Sequence, residues 1–273
     1  MLFLLGLVIL SVFPIESLAQ GNLLIMPRRV VFEGAKKSAD LILANTGADT
    51  AKYVVSIVQM RMKNDGSFEQ ITNPDSGQYF ADKYIRFFPR TVSLAPNESQ
   101  TVKMQLNKAD KLAPGEYRSH IYFRSVPKQT ALGEEASSKD TTQLSVKLVP
   151  IFGITIPVIV RVGETSVKIT LSGLAVEMVN DSVTKIKMRF DRSGNISVYG
   201  DLMVDYISSQ GKVSHVANVK GIAVYTPNIY RLFQCNLDKA PGVDYHKGKL
   251  LVTFTSQSEL KPSKLAEAEL PLH

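Results

Sequence analysis

One long apolar stretch constrains this chain more than any other feature. Every second residue of this stretch is apolar: Leu144, Val146, Leu148, Pro150, Phe152, Ile154, Ile156, Val158, Val160 and Val162. In a β-strand, alternate side chains share one face. Extended, the stretch would span roughly 60 Å at about 3.3 Å per residue, whereas a typical strand is about 17–20 Å long. One β-sandwich therefore has difficulty covering the whole apolar face.

The stretch either bends at Pro150 or Gly153, or leaves part of its apolar face uncovered. Pro157 indicates an edge strand, because proline donates no hydrogen bond to a neighbouring strand. A long apolar edge strand normally promotes aggregation, so its presence suggests that another chain docks on it. The pattern alone leaves a simpler interpretation open, in which this is an ordinary last strand that runs on into a linker.

Short strand patterns fill most of the remaining sequence, and no stretch of twelve residues has a convincing helical period. Residues 64–66 (NDG) predict a β-hairpin, residues 127–143 are polar and predict a long loop, and residues 264–272 fit either a helix or a final strand. We predict an all-β protein with two immunoglobulin-like β-sandwich domains, at residues 20–163 and 164–273.

The first residues have the features of a targeting segment. Residues 1–13 are almost entirely apolar, and Ser17-Leu18-Ala19 is a small-x-small pattern that suits cleavage after Ala19. No Lys or Arg precedes the apolar core, which departs from the usual pattern. About 13 apolar residues are too few to span a bilayer. We therefore expect residues 1–19 to be a cleaved signal peptide and expect no stable membrane insertion.

The ionisable residues give no support for nucleic-acid binding or for catalysis. The net charge is +7, but the Lys and Arg residues are scattered, with no run longer than two. The four histidines and the one cysteine show no metal-ligand spacing, and no nucleophile, zinc or phosphate-binding motif occurs. With one cysteine, the chain forms no disulfide of its own. We expect a protein that is not an enzyme and needs no cofactor or metal.

Four segments of the predicted first domain resemble periplasmic pilus chaperones of the chaperone–usher pathway. They are residues 29–34 (RVVFEG), residues 88–102 (FPRTVSLAPNESQTV), residues 117–123 (YRSHIYF) and residues 156–161 (IPVIVR). The predicted second domain resembles the family more weakly, mainly at residues 244–254 (DYHKGKLLVTF).

The resemblance implies a function in pilus assembly. Chaperones of this family bind pilus subunits in the periplasm of Gram-negative bacteria and deliver them to an outer-membrane usher. A pilus subunit lacks its last strand, and the chaperone lends one of its own in donor-strand complementation. Carried over to this sequence, the donor side chains are Val146, Leu148, Phe152 and Ile154.

The resemblance also implies roles for charged residues. Arg29 matches a basic anchor that holds the C-terminal carboxylate of the pilus subunit, for which the planar guanidinium is well suited. The family's second anchor is a Lys at the position of Pro157, so this chain departs from the pattern there. Arg161 matches a structural arginine that pairs with acids between the domains. Asp244 and Glu116 are the candidate acids, and this charge network would set the interdomain angle.

A second class of function is also compatible with these patterns. A structural or adhesive surface protein of two immunoglobulin-like domains would present the same strands but would not release its partner. Self-association of free molecules through the apolar strand stays open under either interpretation.

Overall fold

The structure, a computed structural model, describes residues 23–108, 111–127, 151–180, 183–257 and 262–273. Within these residues the chain forms seventeen β-strands and one turn of 3₁₀ helix, Asp82–Tyr84. The strands form four sheets that pack as two immunoglobulin-like sandwiches. The predicted all-β fold class is therefore confirmed.

The strands of the first sandwich are β1 (Leu23–Met26), β2 (Val30–Phe32), β3 (Ser38–Asn45), β4 (Ala51–Met62), β5 (Phe68–Ile71), β6 (Ile85–Phe88), β7 (Thr91–Leu94), β8 (Ser99–Leu106), β9 (Gly115–Val126) and β10 (Gly153–Val162). One sheet has the strand order β1–β3–β8–β6. The facing sheet has the order β2–β10–β9–β4–β5, and β7 pairs with β4. Phe32, Leu41, Met104 and Phe123 lie between the two sheets with no exposed surface.

The strands of the second sandwich are β11 (Val167–Asn180), β12 (Val183–Gly194), β13 (Val198–Ile207), β14 (Val213–Val224), β15 (Tyr230–Leu237), β16 (Gly248–Ser256) and β17 (Lys264–Leu272). One sheet has the order β11–β12–β15 and the other has the order β14–β13–β16–β17. Its separate core includes Ile186, Phe190, Val252 and Phe254. The C-terminal segment forms β17, antiparallel to β16, so the strand alternative is correct and the helix alternative is wrong.

The boundary that we predict after residue 163 falls between β10, which ends at Val162, and β11, which begins at Val167. The predicted hairpin is also present, with Met62 of β4 opposite Phe68 of β5. Gly66 in its turn has a φ of 85°, in the left-handed region that glycine adopts without steric cost.

Strand β10 forms most of the described part of the long apolar stretch, and its alternate residues face the first core. Ile156, Val158 and Val160 are at most 4% exposed there. Ile154 packs against the same core and is half-buried. Phe152, two residues earlier, is 41% exposed and lies beyond the cover of the facing sheet. The apolar face therefore begins outside the sandwich and continues into it.

The two edges of β10 differ. Along one edge, β10 pairs with β9 over its whole length. Along the other edge, β2 pairs in parallel, but only with Val158–Val160. Among the described residues, no strand pairs with that edge from Gly153 to Pro157.

The backbone register places Pro157 on the free edge. Ser125 N donates to Phe152 O at 2.8 Å, which makes these two residues a hydrogen-bonded pair between β9 and β10. Such pairs alternate in an antiparallel ladder, so the backbone groups of Gly153, Thr155 and Pro157 point away from β9. Pro157 therefore removes no hydrogen bond from the ladder, in agreement with the edge position that its type indicates.

Several predicted features lie outside the described residues. They are the signal peptide at residues 1–19, most of the loop at residues 127–143, and the donor positions Val146 and Leu148. In the parts of the chain that are described, no helix has the length and hydropathy to cross a membrane.

Candidate interdomain binding site

Strand β9 carries ionisable side chains on the face that points toward the second domain. Glu116, Arg118 and His120 alternate with residues that face the first core, and all three are at most 3% exposed. On the neighbouring strand β10, Arg161 lies opposite Glu116, and Pro157 lies opposite His120. Charged groups are rarely buried unless they have partners, so this face requires a specific explanation.

The second domain covers this face mainly with aromatic and small side chains. Tyr225 and Ala223 are 4% exposed and pack with Ile159 of β10 and Met62 of β4. Tyr199 packs against the same group, which we call the interdomain cluster. The two domains therefore enclose an apolar contact directly beside the buried charges.

Two arginines lie near the ring of Tyr225. The guanidinium carbon of Arg118 is 4.3 Å from the centre of this ring, and that of Arg29 is 5.9 Å from it. Arg29 also lies over Tyr199, at 4.6 Å. A cation over an aromatic face is attracted by the ring's quadrupole, and the attraction grows when water is excluded. The two tyrosines therefore offset part of the cost of bringing these charges out of water.

The rings supply no hydrogen-bond acceptors in the plane of the guanidinium groups, and several donors have no partner. Arg118 Nη1 donates to Thr226 O at 3.1 Å. Arg118 Nε and Nη2, and Arg29 Nε, are shielded from solvent and have no partner among the described residues. Arg29 is half-buried as a whole residue, although its Nε is covered. Burial lowers the pKa of both arginines from the usual value.

Chemically, this arrangement is suited to an anion with several acceptor atoms. A buried donor without a partner costs about 1–3 kcal/mol, and more when it is charged. A carboxylate would satisfy such donors with short, charge-assisted bonds and would neutralise one positive charge. His120 adds no positive charge, because burial and the nearby Arg118 lower its pKa to about 3.

Glu116 and Arg161 form a network that joins the two domains. Arg161 Nε donates to Glu116 Oε2 at 3.2 Å, and the Glu116 side chain is fully buried. Ser197 of the second domain donates to the same carboxylate from its backbone N at 2.9 Å and from its Oγ. Arg161 Nη2 in turn donates to Ser197 O at 2.9 Å. The pairing of Arg161 with Glu116, which the sequence suggested, is present in the structure.

The structure does not bring Asp244 into this network, which corrects the expectation from the sequence. The Asp244 carboxylate is 40% exposed and pairs with Lys247 and His246, both at 3.1 Å. It caps its own turn, accepting from His246 N at 3.0 Å. This backbone hydrogen bond and the Lys247 side chain lower the pKa of Asp244 to about 2. The Asp244 carboxylate, which the sequence match paired with Arg161, is therefore bound within its own turn.

The predicted donor positions divide into three kinds. Phe152 is exposed next to the free edge of β10, with Ile151 beside it at 53% exposure. Ile154 packs against the protein's own core and is not available in the same way. Val146 and Leu148 lie outside the described residues and stay predictions.

Sequence reasoning did not single out Arg118 or the two tyrosines. A signal for Arg118 was present, because residues 116, 118 and 120 are all ionisable and alternate within a strand pattern. Tyr199 and Tyr225 belong to the second domain, and only folding brings them to β9. Among the described residues, no cluster of three His, Cys, Asp or Glu side chains could hold a metal ion.

Removing the interdomain ion pair should cost stability in a coupled way. We expect Arg161→Ala and Glu116→Ala each to lower the free energy of unfolding by about 3 kcal/mol or more, because each leaves a buried partner. The double variant should be less destabilised than the sum by about 1 kcal/mol or more. Urea denaturation measures all three. Asp244→Ala is the control, and its effect on the free energy of unfolding should add to that of Arg161→Ala. If the effects of Glu116→Ala and Arg161→Ala were also additive, Arg161 and Glu116 would not interact.

The buried His120 should make stability depend on pH. Its pKa in the folded protein is about 3, below the ordinary value of about 6.5 that applies to the unfolded chain. The unfolded chain therefore binds the proton more tightly, and stability falls as the pH decreases from about 6.5 toward 3. Between pH 7 and pH 5, the parent should lose about 2 kcal/mol more than His120→Gln. Urea denaturation of both proteins at the two pH values measures this difference. If the parent and His120→Gln lose the same unfolding free energy between pH 7 and pH 5, the imidazole is not buried in its neutral form.

Comparison with known proteins identifies similar solved structures. The chain matches no protein-family model and no curated protein sequence. It is similar to the YadV chaperone, with a TM-score of 0.45 and 14% identity over 92% of this chain and 100% of that one. It is similar to the pre-assembly complex of CsuC with the tip protein CsuE from Acinetobacter baumannii, with a TM-score of 0.45 and 11% identity over 90% of this chain and 97% of that one. It is also similar to the Pseudomonas aeruginosa CupB2 chaperone, with a TM-score of 0.43 and 13% identity over 92% of this chain and 100% of that one. Many of the similar structures are thus chaperones of pilus assembly.

Proposed function

We propose that this protein is a periplasmic chaperone that binds pilus subunits by donor-strand complementation and delivers them to an outer-membrane usher. One observation carries the proposal: the free edge of β10 leads to the buried Arg118 and the half-buried Arg29, and both have donors without a partner among the described residues. An extended segment on that edge and an anion between the arginines would be parts of one ligand.

The length of β2 supports this geometry. From Gly153 to Pro157 the free edge is about 16 Å long, at about 3.3 Å per residue. At Val158 the edge becomes occupied, because Val30 of β2 pairs there. A segment that runs parallel to β10 therefore meets the start of β2, which Arg29 precedes. It has to leave the sheet or end there, and a chain that ends there presents its C-terminal carboxylate to the arginines.

Arg118 takes the place of the basic residue that the resemblance leads us to expect at Pro157. It lies on the adjacent strand, opposite Ile159, and its Nε and Nη2 have no partner among the described residues. We therefore assign the carboxylate to Arg29 and Arg118 together. With this assignment the chain has two basic anchors, as the family pattern requires, although Pro157 stands where the family has a Lys.

The exposed side chain of Phe152 would enter the open groove of a pilus subunit. Filling the groove with one large apolar side chain stabilises the complex by roughly 1.5–3 kcal/mol before the costs of ordering. Val146 and Leu148 would extend the same face. Export by the segment at residues 1–19 would place the protein in the periplasm of a Gram-negative bacterium. The binding cycle needs no cofactor and no catalytic step.

Replacing either arginine should separate binding from stability. Arg29→Met and Arg118→Met keep side-chain length but remove the charge, and each should weaken the binding of pilus subunits by about 10- to 100-fold. The free protein should be as stable or more stable, because an incompletely paired buried charge is lost. Calorimetric titration with a co-purified pilus subunit and urea denaturation measure the two effects. Arg86→Met, at an exposed position in β6, is the control. Unchanged binding in both variants would refute the anchor assignment.

Two substitutions on the apolar face that begins at Phe152 and continues into β10 should have opposite consequences. Phe152→Glu should leave the stability of the free protein within about 0.5 kcal/mol, since the side chain is exposed. It should nevertheless abolish capture of pilus subunits in a pull-down, because a charge would enter an apolar groove. Ile156→Glu should unfold the first domain, because Ile156 is 4% exposed in its core. If Phe152→Glu captures pilus subunits normally, the described end of this strand does not fill their groove.

A further inference from the structure

The hairpin formed by β4 and β5 leaves the first sandwich and reaches the second domain. Strand β4 pairs with β9 only as far as Val58, opposite His120. Beyond that point, a loop lies between them: Gln78 Nε2 donates to Met60 O at 3.1 Å, and Arg118 N donates to Tyr79 O at 2.8 Å. The end of β4 is therefore free to turn away from the sheet with β5.

Four hydrogen bonds join the hairpin to the second domain, at the first residues of β15 and at the turn that precedes this strand. Leu232 N donates to Asn64 O at 2.6 Å, and Asn64 Nδ2 donates to the Tyr230 hydroxyl at 2.8 Å. Asn228 Nδ2 donates to Met62 O at 2.9 Å and lies 3.4 Å from Asn64 Oδ1. We call these five residues the hairpin latch. The first bond also occupies an N–H on the outer edge of β15.

Close packing accompanies these bonds. Gly66 lies against the guanidinium of Arg231, and a Cβ at position 66 would overlap that group. Arg231 Nη1 donates to Ala223 O at 2.7 Å, and Ala223 belongs to the interdomain cluster. The ring of Phe68, at the start of β5, is 6.0 Å from that of Tyr225 and 5.7 Å from that of His120. The hairpin is thus continuous with the packing around Tyr225.

We propose that the hairpin latch is a positioning element, which holds the second domain so that Tyr225 stays close to Arg29 and Arg118. The latch residues would not touch the ligand; they act through the tyrosine. The effect on ligand binding rests on the proposed function, whereas the effect on domain orientation does not.

The physical consequence follows from the position of the rings. While the latch is closed, the tyrosines exclude water from the arginine donors and leave them for a carboxylate. When the domains separate, water reaches those donors, and a ligand would have to displace it. A weaker latch should therefore broaden the distribution of domain orientations and lower the affinity for pilus subunits, without unfolding either sandwich.

The test combines latch variants with a distance measurement between the domains. Tyr230→Phe and Asn228→Ala each remove hydrogen bonds of the latch. Neither side chain is one of those that surround Arg29 and Arg118. Tyr245→Phe is the matched control, because its hydroxyl donates to Asp238 O at 2.6 Å within the second domain. Spin labels at Lys103→Cys and Lys212→Cys, in a Cys235→Ser background, report the interdomain distance by pulsed electron paramagnetic resonance.

We expect the two latch variants to broaden the distance distribution relative to the parent and the control. We also expect them to weaken the binding of pilus subunits by about three- to tenfold for each hydrogen bond removed. A distribution that is unchanged in both variants, and in their combination, would overturn the proposal. If the distribution broadens although the parent itself binds no pilus subunits, the latch is supported and the proposed function fails. If Arg29→Met abolishes binding while the latch variants change neither distance nor affinity, the function stands and the latch is wrong.

Discussion

Two arginine side chains between the domains, the buried Arg118 and the half-buried Arg29, have too few hydrogen-bond acceptors among the described residues. Arg118 is 2% exposed, yet only one of its donors has a described partner, a backbone carbonyl of the second domain. Incompletely paired buried charge is expensive, so other features must make it tolerable. The tyrosines supply a cation–π contribution, and the Glu116 carboxylate nearby supplies negative charge. A carboxylate placed between the arginines would relieve part of this cost.

The same site links the two halves of the molecule. The first domain supplies the arginines and the free edge of β10, and the second domain supplies the aromatic cover and the backbone groups that receive Arg118 and Arg161. The short strand β2 determines where the free edge ends. An edge that closes beside two cations is well suited to an extended peptide that terminates there. Neither domain alone would contain a complete site.

The strands and the hairpin could be predicted from the sequence, because the signals for them are local. The alternation of residues 144–162 gave the face of β10, Pro157 indicated its edge, and residues 64–66 gave the hairpin. Arg29 and the Arg161–Glu116 pair were identified by resemblance, and the structure brings that pair together. Asp244 could not be predicted correctly, because its turn offered nearer donors. The inward packing of Ile154 and the contact of Arg118 with Tyr225 depend on where a facing sheet or a second domain lies, which strand periodicity does not encode.

Amidation of a ligand's C terminus tests the role of the terminal carboxylate. We would titrate the unmodified protein with two synthetic peptides that share the last residues of a pilus subunit, one with a free carboxylate and one amidated, and measure both affinities by calorimetry. Loss of charge-assisted hydrogen bonds should weaken binding of the amide by about tenfold or more, and Arg118→Met should remove the difference between the two peptides. Equal affinity of the parent protein for both peptides would contradict the binding of a chain terminus by Arg29 and Arg118.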